Sequence, residues 1–373
     1  MGNKTQILAV ITGLTVIAAG TVIVKSFSSD RHIIKQDHNN SRRESVSSEN
    51  TAESEMTNED NSIVDDEHIQ QNAPNMLFHY ASGMEIGNFQ DSYVYDGSEI
   101  MLSVTINNFK SGFDESFLLY VNGFQNPYHT NLDETDKLYH TISIPDEESV
   151  TIEVYFKPMN CNIGDTVLVS FDRIMNMDFM LPDTSWVSFY PNHELNGINP
   201  FPLEIKAECG KTDNISVDKE SKWNESEIPA DILEEFTNTD EIGNPTTESG
   251  INEASYFDLV QNDRYEGYFV SFDKGLELSL NGYGRAGKYR VGIYLDHELI
   301  PAFNGNYYSD MEIVSGKMLS RQISIDTSGL EGLHHLYAIA IPIEDKTLAT
   351  VKTKTKLLSI EDAPKLDDKT ADT

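Results

Sequence analysis

Apolar residues run without a charge from Ile7 to Val24, fenced by Lys4 and Lys25. At about 1.5 Å of rise per helical residue this run spans about 27 Å, enough for the hydrocarbon core of a bilayer. It predicts one N-terminal transmembrane helix within an anchor segment, 1–27. A cleavable signal needs only about 7 to 15 apolar residues before a small-residue cut such as Ala18-Ala19-Gly20. Here the apolar character continues through Thr21-Val22-Ile23-Val24, which favours an uncleaved anchor. Residues 28–75 then lose all apolar periodicity and fill with Ser, Asn, Asp and Glu. Such a composition cannot bury enough surface to offset ordering entropy, so it predicts a disordered acidic stalk.

From Leu77 the pattern becomes short alternating runs separated by Gly, Asn, Asp and Pro. Ile100–Ile106, Ser116–Val121, Val150–Phe156 and Asp165–Phe171 are examples. Period-two alternation with β-branched and aromatic residues predicts antiparallel strands, and closely spaced turn signals predict a sandwich. The first sandwich is expected over 76–210. Residues 211–255 revert to acidic, Thr- and Asn-rich sequence, which reads as a linker. Within it Pro229-Ala-Asp-Ile-Leu-Glu-Glu-Phe236 predicts one helical turn, with proline at its start and apolar side chains at 232, 233 and 236. That turn is either a docking motif or a plug resting on a neighbouring domain. Strand texture resumes over 256–360, and a polar tail closes the chain at 361–373.

The two strand-rich regions echo one another in four ordered blocks. Val94–Ile100 parallels Phe272–Leu278, and Leu119–Tyr128 parallels Ile293–Phe303, with Tyr120 and Pro127 matching Tyr294 and Pro301. Ile142–Ile144 then parallels Ile323–Ile325, and Val154–Pro158 parallels Ala338–Pro342. The blocks predict two copies of one sandwich. The fold class expected is therefore all-β: two tandem sandwiches behind an anchor and a stalk.

Charge narrows the partners. With 27 Lys and Arg against 61 Asp and Glu, a net charge of −34 repels nucleic acid and anionic membrane surfaces. Orientation is set by opposing signals. Lys25, Arg31, Lys35, Arg42 and Arg43 outnumber Lys4 and would hold the downstream side in the cytoplasm. A polar stalk followed by β-rich domains is the layout of an exported protein, and it places the domains outside the membrane.

Candidate chemistry is sparse. Cys161 and Cys209 could close a loop of about 48 residues, worth about 4 kcal/mol in the chain-entropy account; free thiols fit the sequence equally well. Trp186 and Tyr190 fall on one face of an alternating strand, where they either pack a core or offer rings for sugar stacking. His193-Glu-Leu-Asn-Gly197 and His297-Glu-Leu-Ile-Pro301 begin like HExxH but lack its second histidine. His334 and His335 alternate faces and so cannot serve one metal together. The oxygen-rich turn Asn131–Asp136 could hold Ca²⁺ but reads better as an ordinary acidic hairpin loop, and Asp326-Thr-Ser-Gly329 reads as a turn. No catalytic, metal or cofactor site emerges.

Gly287–Asp296, Gly316-Lys317 and Gly332–Pro342 resemble the immunoglobulin-like modules of exported, membrane-anchored bacterial surface proteins. The resemblance covers about 100 residues per copy. It implies a surface setting, no catalytic residue and no cofactor. The function expected is non-enzymatic binding of an extracytoplasmic protein or cell-envelope polymer, with a wall carbohydrate-binding protein as the alternative.

Overall fold

The computed structural model describes residues 82–109, 112–180, 195–212, 215–220, 222–239, 245–261, 268–271 and 275–360. The apolar run at 7–24 and the 28–75 spacer lie outside them. Among the described residues no helix is long and apolar enough to cross a membrane.

The chain is all-β. In its first half come β1 (Ser82–Ile86), β2 (Tyr93–Tyr95), β3 (Ile100–Asn108) and β4 (Phe113–Val121). The short β5 (Phe124–Gln125), β6 (Tyr128–Thr130) and β7 (Asp133–Lys137) precede β8 (Tyr139–Ile144) and β9 (Ser149–Phe156). β10 (Thr166–Met175), β11 (Leu195–Gly197) and β12 (Phe201–Ile205) complete this half. One sheet runs β1-β3-β9-β6-β7; the facing sheet runs β2-β12-β10-β4-β5, with β8 on β4 and β11 on β10. Alternation in β3 sends Ile100, Leu102, Val104 and Ile106 inward, where they meet Phe117, Leu119, Val121, Val169 and Phe171 from the other sheet.

The second half opens with β13 (Val217–Asp218), β14 (Asn224–Glu227), α1 (Ala230–Glu235), β15 (Thr237–Thr239) and β16 (Pro245–Ser249). β17 (Ser255–Val260), β18 (Tyr268–Ser271), β19 (Gly275–Gly284), β20 (Gly287–Leu295) and β21 (Glu298–Ile300) follow. β22 (Tyr308–Ile313), β23 (Lys317–Asp326), β24 (Gly332–Pro342), β25 (Val351–Lys352) and β26 (Lys356–Ile360) end it. One sheet is β14-β23-β19-β17; the other is β13-β22-β20-β24-β26-β18, with β21 on β20 and β25 on β24. A second, separate core lies between them, built on Leu276, Leu278, Leu280, Val291, Ile293, Leu336 and Ala338.

The two halves share a strand order. β1 pairs with β3 as β17 does with β19, β3 with β9 as β19 with β23, and β4 with β10 as β20 with β24. The sheets are not purely antiparallel as expected: β2 runs parallel to β12, and β18 parallel to β26. That departure is itself repeated, because in both halves an early strand joins the edge beside the last one. Tyr120 pairs with Gln125, and Tyr294 with Leu299, across two-residue turns, so the Leu119–Tyr128 block matches Ile293–Phe303 in register. The last two sequence blocks match wrongly. Ile142–Ile144 lies in β8, whose counterpart is β22, and Val154–Phe156 lies in β9, whose counterpart is β23. A one-strand slip passed unnoticed because any buried strand offers the same alternation.

Segment 211–255 is not a free connection in its described parts. β13 adds to the edge at β22 and β14 to the edge at β23. Buried Arg321 pairs with Asp218, donates to Ser309 Oγ at 2.6 Å and lies over the Phe303 ring at 5.0 Å. Trp223 Nε1 donates to the Asp310 carbonyl at 2.9 Å. α1 begins after Pro229 and plugs Ile232 against Ile228, Ile251 and Tyr283, with Phe236 packed beside them. The acidic composition hid this because a single buried arginine neutralises Asp218, the one buried aspartate among the described residues of the segment.

Candidate functional site: the seam between the two sandwiches

β4 is buried along almost its whole length, on both faces. Its odd residues fill the first core, while Leu118 and Tyr120 point outward with Ile174 of β10. In the second sandwich Val291 and Ile293 face inward, whereas Tyr294 on β20 and Tyr337, Ile339 and Ile341 on β24 face outward. These two outer faces meet and form a third apolar cluster, joined by Met177, Tyr139, Leu195 and Leu299. The sandwiches are thus joined sheet to sheet through equivalent strands.

Polar groups sealed in this seam carry most of its geometry. Tyr120 and Tyr294 are fully buried, and burial raises both phenols well above the usual range. Neither hydroxyl has a hydrogen bond within accepted geometry, though each lies close enough to the other to influence it. Tyr294 stacks on Tyr337 at 5.4 Å between ring centroids. Asp172 points outward from β10, buried, with the Thr350 hydroxyl as its polar neighbour, and burial lifts its carboxyl to about 7. Burial therefore pushes the carboxyl towards its neutral form.

Two hairpin turns lock the seam from opposite sides. Asn122-Gly123 and Asp296-His297 occupy equivalent turns, and all four residues have positive φ (53°, 76°, 46° and 70°), as a two-residue hairpin with the twist of its strands requires. Asn122 of the first turn accepts a 2.8 Å bond from Arg290 Nη1 of the second sandwich. Arg290 is oriented by the Asp310 carboxylate at 2.7 and 3.0 Å, and its guanidinium covers Phe124 at 4.1 Å. The Gln125 amide donates to Tyr308 Oη at 3.2 Å. On the other turn, His297 Nδ1 lies 3.1 Å from Tyr337 Oη, and His297 Nε2 lies 3.0 Å from His335 Nδ1. His335 Nε2 lies 2.9 Å from the Phe179 carbonyl of the first sandwich. Burial depresses both imidazoles, His297 to about 4.

The residues singled out by sequence fall elsewhere. Trp186, Tyr190 and His193 lie outside the described residues. Cys161 and Cys209 come together at the end of the first core as free thiols, alongside an isolated bridge between Met159 and Gly210. Burial and the neighbouring Cys209 push Cys161 up to about 12. In the acidic hairpin Asp133 bonds Lys137 Nζ at 2.6 Å and the Thr135 amide at 3.0 Å, which hold its carboxyl down at about 2. Asp326 caps its turn by accepting from the Ser328 amide at 2.9 Å. His334 and His335 do part company: His334 Nδ1 meets Asp296 at 2.6 Å while His335 enters the seam. Sequence reading missed the seam itself. Its signal was present as unbroken apolar runs, Phe117–Val121 and Leu336–Ile341, where a strand with one wet face would alternate.

No protein family and no curated protein matches the chain. Among solved structures, red sea bream transglutaminase aligns with 76% of this chain at 7% identity and a TM-score of 0.19; the chain spans 32% of its length. The fibronectin(III)-like modules of Clostridium thermocellum CbhA align over 76% of this chain and 95% of theirs, at 9% identity and a TM-score of 0.18. The Salmonella enterica SafA pilin in complex with the SafB chaperone aligns over 75% and 96%, at 8% identity and a TM-score of 0.21. At such scores these likenesses add nothing to the fold read from the strand pairing.

Proposed function

We propose that the chain is a non-enzymatic, membrane-anchored surface protein. In this reading two immunoglobulin-like sandwiches, held beyond the bilayer on an acidic stalk, act as one rigid body that binds an extracytoplasmic protein or envelope polymer. The observation that carries the reading is where the polar chemistry goes. Asp172, His297 and His335, polar groups whose proton affinities burial displaces, lie where the two domains meet, Asp172 beside Thr350 and His335 on the Phe179 carbonyl. Groups used this way fix orientation; they are not presented to a substrate. Both halves would then offer their outer edges and loops in one fixed relation, which suits recognition of an extended partner. The apolar run at 7–24 supports the anchor, and the charge of −34 argues against nucleic acid.

The test is fractionation of the full chain expressed in bacteria. Recovery in the membrane fraction after a high-salt wash, and release when residues 7–24 are deleted, are expected. A full chain that stays in the soluble fraction would overturn the anchor.

A further inference from the structure

The hydrogen-bond chain Tyr337–His297–His335–Phe179 has a direction that can be assigned from its ends. The Phe179 carbonyl only accepts, so His335 Nε2 carries a hydrogen and donates at 2.9 Å. Neutral His335 then has a bare Nδ1, which accepts from His297 Nε2–H at 3.0 Å. His297 in turn has a bare Nδ1, which accepts from the Tyr337 hydroxyl at 3.1 Å. Each bond in the chain is satisfied while both rings are neutral. The chain also crosses the seam, because Phe179 belongs to the first sandwich and the other three residues to the second.

We propose that this chain is an acid-opened latch between the two sandwiches. One added proton goes to the bare His297 Nδ1, where it turns the Tyr337 bond round, leaves the hydroxyl hydrogen without the His297 acceptor and places a full charge in the seam. A second proton sets N–H against N–H at 3.0 Å and breaks the histidine pair. The surroundings offset this only in part, and the Met177 carbonyl after β10 also favours charge on His297. Asp296 of the same turn favours the charged rings, as does Asp178 after β10, 3.9 Å from His297 Nε2 but exposed; Lys352 of β25 opposes them. His334, next to His335, is engaged by Asp296. Desolvation is the largest influence on both rings and keeps them neutral in the closed form.

The sign follows from linkage. Separated sandwiches would return the rings to water, where they take protons near pH 6.5, so acid favours the open form from about pH 6.5 down to about pH 4. Asp172 acts in the opposite sense: its carboxyl, lifted to about 7, favours closure as pH falls. The latch therefore works against Asp172, and removing Asp172 should sharpen it.

Hydrogen exchange on the full chain, corrected for the intrinsic effect of pH, reads the opening. Peptides covering 176–180, 121–125 and 295–299 should exchange about tenfold faster for each pH unit below 6.5, as a net uptake of one proton on opening requires, two taken by the rings less the one Asp172 releases. Strands β3 and β19, inside the separate cores, should stay protected. His335→Gln keeps a donor for Phe179 and an acceptor for His297 and leaves His297 as the one titrating ring, whose proton uptake the release from Asp172 offsets, so the acceleration below pH 6.5 should vanish. Seam peptides that remain protected to pH 4 would overturn the proposal, as would cores and seam losing protection together. If the Gln variant fails to fold, the exchange rates of the imidazole C2 hydrogens in the unaltered chain decide. Apparent pKa values of both rings at or above 6.5 would refute the latch.

Discussion

Tyr120 and Tyr294 hold the same place in two equivalent hairpins, and both enter the one apolar cluster buried in the seam between the sandwiches. Neither hydroxyl has a hydrogen bond of good geometry, so the rings hold the seam by their apolar area. Tyr120→Phe and Tyr294→Phe should each shift stability by less than about 1 kcal/mol, because removing a poorly satisfied buried hydroxyl costs little. Tyr120→Ala leaves a cavity and should cost about 3 kcal/mol. Urea unfolding of the three variants compares them directly.

Gly123 sits where a side chain has no room. A Cβ there would stand 2.7 Å from Ile343 Cγ2 and 2.9 Å from Arg290 Cβ, at a φ of +76°. Gly164 has a similar φ of +95° with nothing within 4 Å, so it isolates backbone strain from the clash. Gly164→Ala should cost about 1 kcal/mol through strain alone. Gly123→Ala should cost roughly 2 kcal/mol more, through overpacking. Thermal unfolding of the pair separates the two effects.

Asp172 makes stability depend on pH. Its carboxyl is raised in the folded chain to about 7 from an ordinary 3.8. Its favourable contribution is whole below pH 3.8 and is lost progressively as pH rises through about 7. Asp172→Asn should remove that decline, so the variant gains on the unaltered chain as pH rises from 4 to 8. Denaturant midpoints measured across that range check it; equal slopes would show that the carboxyl does not titrate as its burial requires.

The thiols of Cys161 and Cys209 lie side by side, so export to an oxidising compartment should join them, each giving up one hydrogen to a disulfide donor. Mass analysis of exported protein should find no free thiol, and a reductant should lower its melting temperature. Reduction removes a cross-link worth about 4 kcal/mol in the chain-entropy account.

The strands were legible because alternation is a local property. Ile100–Ile106 reads directly as one wet and one dry face, and the Tyr120–Pro127 block fixed a hairpin register that the second half repeats. The seam was harder, since Phe117–Val121 reads the same whether its second face meets water or another domain. Position 297 was weighed as a failed zinc ligand. Its role arises from a turn with φ of +70° and a partner 38 residues away, neither of which any spacing encodes. Segment 211–255 misled through composition, because the residues that tie it down, Asp218 and Trp223, are few among many solvated acids.

Protease added to intact cells carrying the full chain tests anchoring, export and the rigid joint together. Cleavage should fall in the 28–75 spacer and release a single fragment holding both sandwiches, with 211–255 resisting because β13, β14 and α1 are built into the second one. Shaving only after lysis would contradict the surface setting, and release of two separate sandwiches would contradict the joint.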